Sequence, residues 1–388
     1  MRVTGAWLTH PGTRAVCDAL TGAGHQALFV GGCVRDALLG RAVGDIDIAT
    51  DATPDQVIAA ARASGLKAVP TGIDHGTVTL VAEGLGHEVT TFRHDVDTDG
   101  RHATVAFSTD VAKDAARRDF TMNALYARPD GTLVDPLGGL ADLKARHLRF
   151  VGDPDQRIAE DYLRILRYFR FHAWYGDPDR GIDADALSAI AAGAEGLEQL
   201  SRERIGREVI KLLRAPDPAP SVAAMRQTGV LGHVLPGADD RALAVLVHLE
   251  GDLPADPLRR LAILGGVDVA DHLRLSRAEA KQLDLLRDGI GDMRGAGELG
   301  YRHGVATGRD ILLLRAALFK TPLDPQATVD LEKGAKAQFP VAAKDLMPAY
   351  QGAALGAKLA ELETKWIASG FALTRRDLCG NDTAPGDG

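Results

Sequence analysis

The 388-residue chain is 45% hydrophobic and 25% charged, which fits a globular protein long enough for two or more domains. No apolar run approaches a membrane span, MRVTGAWLTHPG has no signal-peptide core, and Cys17, Cys33 and Cys379 are too scattered for a disulfide framework or a zinc site, so the expected compartment is the cytoplasm. A net charge of −8 counts against a nucleic-acid partner only if Lys and Arg are evenly spread, so local clusters decide the question.

Residues 1 to 27 read as an amphipathic helix, with Val16 and Leu20 apolar, leading to a strand at Leu28-Phe29-Val30. Gly31-Gly32 stop that strand, Cys33 to Leu39 read as a short helix, and Gly40 ends it. A second strand begins at Asp45-Ile46-Asp47-Ile48, whose alternation puts Asp45 and Asp47 on one face. Paired carboxylates repel unless a cation lies between them, and Mg²⁺ suits the place because it binds through one or two carboxylates plus substrate phosphates. Backbone N–H groups at the Gly-Gly turn offer a dock for phosphate oxygens. Metal and phosphate sites on one short unit are the chemistry of nucleotidyl transfer. The bland alternative is a tight βα turn with a surface Asp-x-Asp.

VGGCVRDALLG…DIDIAT resembles the catalytic signature of the DNA polymerase β-type nucleotidyltransferases. It is similar in particular to class II tRNA nucleotidyltransferases (CCA-adding enzymes) and bacterial poly(A) polymerases. That resemblance implies a catalytic head with Asp45 and Asp47 as metal-binding catalytic residues, and Gly32 and Arg35 in contact with the triphosphate.

Thr53-Pro54 opens a capped helix, Gly72 to Gly76 form a turn, and TVTLVAEG alternates as a strand. In the next strand, His87 to Phe92, Glu88 shares a face with Thr90 and Phe92; it reads either as a third catalytic carboxylate or as an ordinary exposed strand glutamate. Residues 93–110, polar and carrying His94 and His102, lack metal-ligand spacing and read as a mobile loop, which the resemblance makes a shaper of the nucleotide pocket. In Arg117-Arg118-Asp119-Phe120-Thr121-Met122-Asn123, Asp119 stands at an N-cap position, the arginines suit triphosphate oxygens, and Asn123 stands one turn on to share ribose hydroxyls. RRDFTMNAL resembles the family's second motif, which implies nucleotide contacts for Arg118, Asp119 and Asn123. A Pro-Asp-Gly hairpin leads to Val134-Asp135-Pro136-Leu137-Gly138-Gly139, which resembles a third motif; Asp135 reads as structural or as a hinge element.

From Arg157 the pattern is helical, and Asp161, Arg164, Arg167 and Arg170 recur every third residue along one side. EDYLRILRYFR resembles the family's template motif. Asp only accepts and Arg only donates, so an Asp161–Arg164 pair matches the amine-beside-acceptor edge of cytosine or adenine and rejects uracil and guanine. Arg167 and Arg170 are then free for phosphate or for bracing the template. In the helix Ser201 to Arg214, the residues Arg204, Arg207, Lys211 and Arg214 make one basic stripe, read as an RNA-backbone contact or as a solvated face. Pro216 to Pro220 is the clearest linker-like break; beyond it the chain reads as helical with no catalytic constellation, and the last nine residues read as a disordered tail.

The expected fold is therefore α+β: a nucleotidyltransferase head over 1–150 with a mixed sheet, a helical neck over 151–215, and an all-helical body and tail over 216–388 that binds RNA. The resemblance implies addition of CCA to the 3′ end of tRNA from CTP and ATP, with Mg²⁺ as cofactor. Poly(A) synthesis, CC-only or A-only addition, and RNA binding by an inactive head stay open. No membrane contact is expected, and the sequence points to no protein partner.

Overall fold

The structure, a computed structural model, describes residues 1–99 and 102–380, and side chains outside 95–105. Two compact units divide the chain: Met1–Pro236 with Asp271–Arg274, and Gly237–Ala270 with Leu275–Gly388.

The first unit opens with two helices rather than one, α1 (Ala6–Thr9) and α2 (Pro11–Gly22), because Pro11 starts a new helix behind His10. There follow β1 (Leu28–Val30), α3 (Gly32–Leu38), β2 (Asp47–Thr50), α4 (Pro54–Ala63), β3 (Lys67–Gly72), β4 (Thr77–Ala82) and β5 (Leu85–Thr91). Thr53 and Gln56 close a reciprocal cap on α4, as the Thr-Pro start implied. Of residues 93–110, expected to be a loop, β6 (Arg93–Asp99) and β7 (His102–Phe107) are instead paired antiparallel strands. The side chain of His102 and all of the expected tail beyond its first residue, Gly380, lie outside the described residues.

After α5 (Val111–Ala116) the chain does not enter a helix at Asp119. It runs extended through Phe120, makes a 3-10 turn at Thr121–Asn123, and enters β8 (Tyr126–Ala127), which pairs with β9 (Leu133–Val134). Asp119 is therefore no N-cap, although Phe120, Ala124 and Leu125 are buried as expected.

The strands form one seven-stranded sheet in the order β3-β4-β5-β2-β1-β8-β9, antiparallel except where β2 runs parallel to β5. α2 and α4 cover one face of it, onto which Val78, Leu80, His87 and Val89 turn; there Thr13 meets the His87 ring at 2.9 Å. Burial lowers the His87 pKa, so the imidazole is a neutral packing element. The other face carries Asp47, Glu88 and Thr90 toward solvent.

Next come α6 (Gly139–Lys144), α7 (Pro154–Glu160), α8 (Leu163–Tyr175), α9 (Ala184–Gly193), α10 (Arg202–Leu213), α11 (Ala219–Gln227) and α12 (Val230–Val234). The Pro216 to Pro220 break lies inside the first unit and serves to start α11. The second unit is helical throughout the described residues. Its polar centre is a buried network in which Glu250 accepts from Arg259 and Arg260, while Arg259 also reaches Asp310 at 2.8 Å. No helix among the described residues is long and apolar enough to cross a membrane.

Asp135 proves structural: its carboxylate accepts from the backbone N–H groups of Gly139 and Leu140 at 2.8 and 3.0 Å and so caps α6. The two glycines of that motif differ in purpose. Gly138 holds a left-handed conformation (φ 73°) in open space, whereas a Cβ on Gly139 would overlap the Thr121 carbonyl oxygen. Gly139→Ala is therefore expected to cost about 1–3 kcal/mol through forced backbone shifts, and Gly138→Ala about 1 kcal/mol or less through its dihedral preference alone. Urea unfolding of both variants, read as midpoint shifts at constant slope, checks the order.

Candidate active site

Pairing between β2 and β5 sets Asp47 directly beside Glu88. Asp45 does not share the strand as expected. β2 begins only at Asp47, and Asp45 sits at a bend two residues earlier, exposed, so the loop rather than strand alternation brings it to Asp47. Partial burial, then the charge of Glu88 and more weakly that of Asp45, push the Asp47 carboxyl up to about 6 against the pull of Arg118. Behind it Cys33 is buried, and its thiol, pushed up to about 11 by that burial, is chemically quiet.

Arg118 supplies the positive counterpart. Its Nε donates to the Tyr126 hydroxyl at 2.9 Å and its Nη2 to Asp114 at 3.0 Å, while Tyr126 itself donates to Asp114 at 2.7 Å. The third nitrogen, Nη1, faces the Gly31 turn, where a Cβ would come to 3.6 Å from it. Gly31 holds φ 70°, so the turn requires glycine. Gly32 opens α3 beside it. Arg118 thus connects Asp47, whose charge it attracts, with the Gly31-Gly32 turn.

Arg35 does not join them. Its guanidinium is buried, donating to Asp36, to Asn123 Oδ1 at 2.6 Å and to the Tyr175 hydroxyl at 2.6 Å, and it stacks 4.0 Å from the Tyr175 ring. Asn123 in turn donates to Asp119 Oδ1 at 3.0 Å. Burial disfavours the Asp119 charge, but Arg167, the Asn123 amide and the Phe120 N–H outweigh it and hold the pKa below the usual carboxylate range.

The helix expected from Arg157 onward is broken. α7 ends at Glu160, Asp161 takes an extended conformation (φ −156°, ψ 104°), and α8 starts at Leu163. Asp161 accepts from the Leu163 N–H at 3.1 Å and from Arg204 of α10 at 2.9 Å. Arg164 donates to the Arg157 carbonyl at 2.6 Å and to Glu160. Arg167 and Arg170 are not free: Arg167 pairs with Asp119 and Arg170 with buried Glu208. On α10, Arg207, Lys211 and Arg214 are exposed, and Arg204 is exposed while paired to Asp161.

Reading the sequence missed Asp114, Tyr126, Glu160, Glu208 and Tyr175, which orient the arginines, and Arg157, which grips the carbonyls of Arg117 and Arg118 and fixes the Arg-Arg-Asp segment. The acidity of Glu160, next to Asp161, was the one visible signal. Among the described residues no three His, Cys, Asp or Glu side chains converge into a ready-made metal cluster. The donor set at Asp45 and Asp47 still suits a hard divalent cation completed by substrate oxygens, since cation charge would offset the burial and the Glu88 and Asp45 repulsion that raise Asp47.

Fold and site define a nucleotidyltransferase of the poly(A) polymerase type. The Poly A polymerase head domain model matches residues 27–149, the sheet with its carboxylates, and a second model, probable RNA and SrmB-binding site of polymerase A, matches residues 181–241 around α10. Mouse CCA tRNA nucleotidyltransferase 1, mitochondrial, is 36% identical over 95% of this chain and 88% of its own length. The chain belongs to the CCA tRNA nucleotidyltransferase family. The match to the CCA-adding enzyme of Geobacillus thermodenitrificans is 43% identical and spans about half of each protein, 56% of this chain and 52% of the relative. The structure of the Bacillus stearothermophilus CCA-adding enzyme in complex with CTP superposes with a TM-score of 0.69 at 28% identity, covering 91% of both chains. The Thermotoga maritima CCA-adding enzyme complexed with tRNA shares the fold, with a TM-score of 0.70 at 20% identity over 98% of this chain and 97% of that one.

Because the folded Asp47 carboxyl titrates near 6, above its unfolded value, the native state binds the extra proton. The contribution of this group to metal-free stability is therefore fully present below the ordinary carboxylate range and is lost as pH rises through about 6. Asp47→Asn removes that loss: in EDTA its melting temperature should exceed wild type at pH 7.5 and match it at pH 4, by thermal melts across that range.

Proposed function

We propose that this chain adds C, C and A to the 3′ end of tRNA from CTP and ATP, releasing pyrophosphate. The observation that carries the reading is the placing of Asp47 beside Glu88 and Arg118 at the Gly31-Gly32 turn, in a chain of this family. We assign Asp45 and Asp47 to hold Mg²⁺, with Glu88 as the adjoining carboxylate. When bound, such a cation neutralises phosphate charge and lowers the pKa of the attacking hydroxyl.

The RNA 3′-hydroxyl attacks the α-phosphorus in line; the new O–P bond forms as the bond to the β-phosphate oxygen breaks, and the hydroxyl proton leaves toward the carboxylates. Arg118 grips triphosphate oxygens through the face it turns to Gly31, and Gly32 lets the backbone approach them. Asp119 and Asn123 meet the sugar, with Arg167 holding Asp119 charged. Arg35 and Arg170, engaged elsewhere, act by bracing.

Asp161 and Arg164 choose the base. The Asp161–Arg204 pair is partly exposed on both sides (33% and 46%), and pairs so wetted are worth about 0–1 kcal/mol. It can therefore yield to a base amine at little cost. Arg164 makes its bonds through Nη1, anchored by Glu160, and presents Nη2 to the ring nitrogen. Arg207, Lys211 and Arg214, joined by Arg204 once released, track the RNA backbone. We place the enzyme in the cytoplasm on its scattered free cysteines, although the mouse relative bears a mitochondrial name.

An extension assay on a tRNA transcript ending at the discriminator base tests the reading. Three additions that need both CTP and ATP and then stop are expected; a long ladder with ATP alone would mean poly(A) synthesis, and two additions or one would mean a split-function enzyme. Asp45→Ala and Asp47→Ala should each lower transfer of both nucleotides by at least about 1,000-fold, the scale of losing electrostatic stabilisation at the reacting phosphate. Arg164→Ala should keep measurable transfer while admitting UTP. Mg²⁺ should raise the wild-type melting temperature at pH 7.5 and leave that of Asp47→Ala unmoved.

A further inference from the structure

Five side chains close a ring on α8. Arg167 Nε donates to Asp119 Oδ2 at 2.8 Å, and Asn123 Nδ2 donates to Asp119 Oδ1 at 3.0 Å. Arg35 Nη1 then donates to Asn123 Oδ1 at 2.6 Å, and Arg35 Nη2 to the Tyr175 hydroxyl at 2.6 Å. Arg167 and Tyr175 lie on the same helix, eight residues or about 12 Å apart at 1.5 Å per residue. Phe171 fills the middle of the ring, with the Arg35 and Arg167 guanidinium carbons 5.2 and 5.6 Å from its centroid and Phe120 packed at 5.2 Å.

Arg167 and the buried Tyr168, which packs on Phe120 and Phe150 and donates to the Leu148 carbonyl at 3.2 Å, hold the middle of α8 to the head segments, while Arg41 donates to the Trp174 carbonyl at 2.9 Å beside Tyr175. The Arg35–Tyr175 bond, two turns from Arg167, joins Arg41 in fixing the angle of the helix and is the one that ties it to Asn123 and Asp119. Arg164 stands three residues, about 4.5 Å of rise, beyond Arg167 on the side away from Tyr175. A tilt of about 10° around the Arg167 contact would move Arg164 by roughly 0.8 Å, on the scale at which misplacement of a positioned group costs up to about 100-fold.

We infer that Tyr175, acting through Arg35, is a positioning residue for base choice: it locks the angle of α8 so that Arg164 reads the base in register with a sugar held at Asp119 and Asn123. This rests on the base-reading role proposed for Asp161 and Arg164. The hydroxyl is the operative group, because the ring alone keeps the cation–π stack on Arg35, at 4.0 Å, without a directed bond.

The test uses full-length protein, a tRNA transcript, and the kcat/KM ratio of CTP over UTP, for wild type, Tyr175→Phe, Arg164→Ala and the double variant. Tyr175→Phe keeps the ring and is expected to lower the ratio about tenfold, with an unchanged melting temperature and an unchanged KM for tRNA. In the Arg164→Ala background it should have no further effect on the ratio, since the residue it aims is gone. A Tyr175→Phe ratio within twofold of wild type overturns the inference, as does an equal loss in both backgrounds. If Arg164→Ala itself keeps full discrimination, the base-reading proposal has failed first, and the two failures are distinguishable. Tyr175→Leu, which also removes the stack, should lower both the ratio and the melting temperature; a Tyr175→Phe that shifts both together would reduce Tyr175 to a packing residue.

Discussion

The carboxylate of Asp119, nine-tenths buried, is the constraint that the first unit is built to meet. A buried carboxylate without partners would cost several kcal/mol or take up a proton. Arg167 answers it from α8, Asn123 from the 3-10 turn, and the Phe120 N–H from its own backbone. Each answer needs a support of its own. Asn123 spends its oxygen on Arg35, and Arg157 grips the carbonyls just before Asp119. One acid thereby recruits residues from α3, α7 and α8 to a common point.

How far the sequence could be read follows from how local each feature is. The strand–turn–helix at residues 28–38, the Thr53 cap and the turn glycines depend on neighbours a few residues away, and they were legible. So was Glu88 as a candidate beside Asp47, although only the parallel register of β2 on β5 decides the pairing. The motif resemblance named the segments that surround the site. It did not say which way each arginine points, because that depends on Asp114, Glu160 and Glu208, acids whose contacts are set by tertiary packing.

Periodicity misled most at Asp161. Apolar residues continue at helical spacing on both sides, so the pattern runs straight through the break. The side chain of Asp161, however, bonds the Leu163 N–H two residues on, the local competition with helix geometry that aspartate favours. Breaking the helix there takes Asp161 out of the row of arginines and sets it against α10. The supposed helix at Asp119 failed for another reason: Phe120 to Leu125 are buried all round, and so short a buried run has no periodicity to distinguish helix from turn and strand.

The acidic net charge does not describe every face of the molecule. Arg35, Arg157, Arg167 and Arg170 each face a carboxylate of the same unit, and Arg259 and Arg260 do so around Glu250 and Asp310, so these pairs largely cancel and the net −8 belongs to the charges outside them. What a polyanion meets is the exposed remainder. On α10 that remainder is positive, because its buried acid, Glu208, is turned inward to Arg170 while Arg207, Lys211 and Arg214 stay in solvent. Around Asp47 the remainder is negative, and there a polyphosphate is acceptable only together with a cation. A chain carrying net charge −8 can therefore still present a basic face on α10 and an acidic patch at Asp45 and Asp47, because the exposed charges of the two signs lie on different elements.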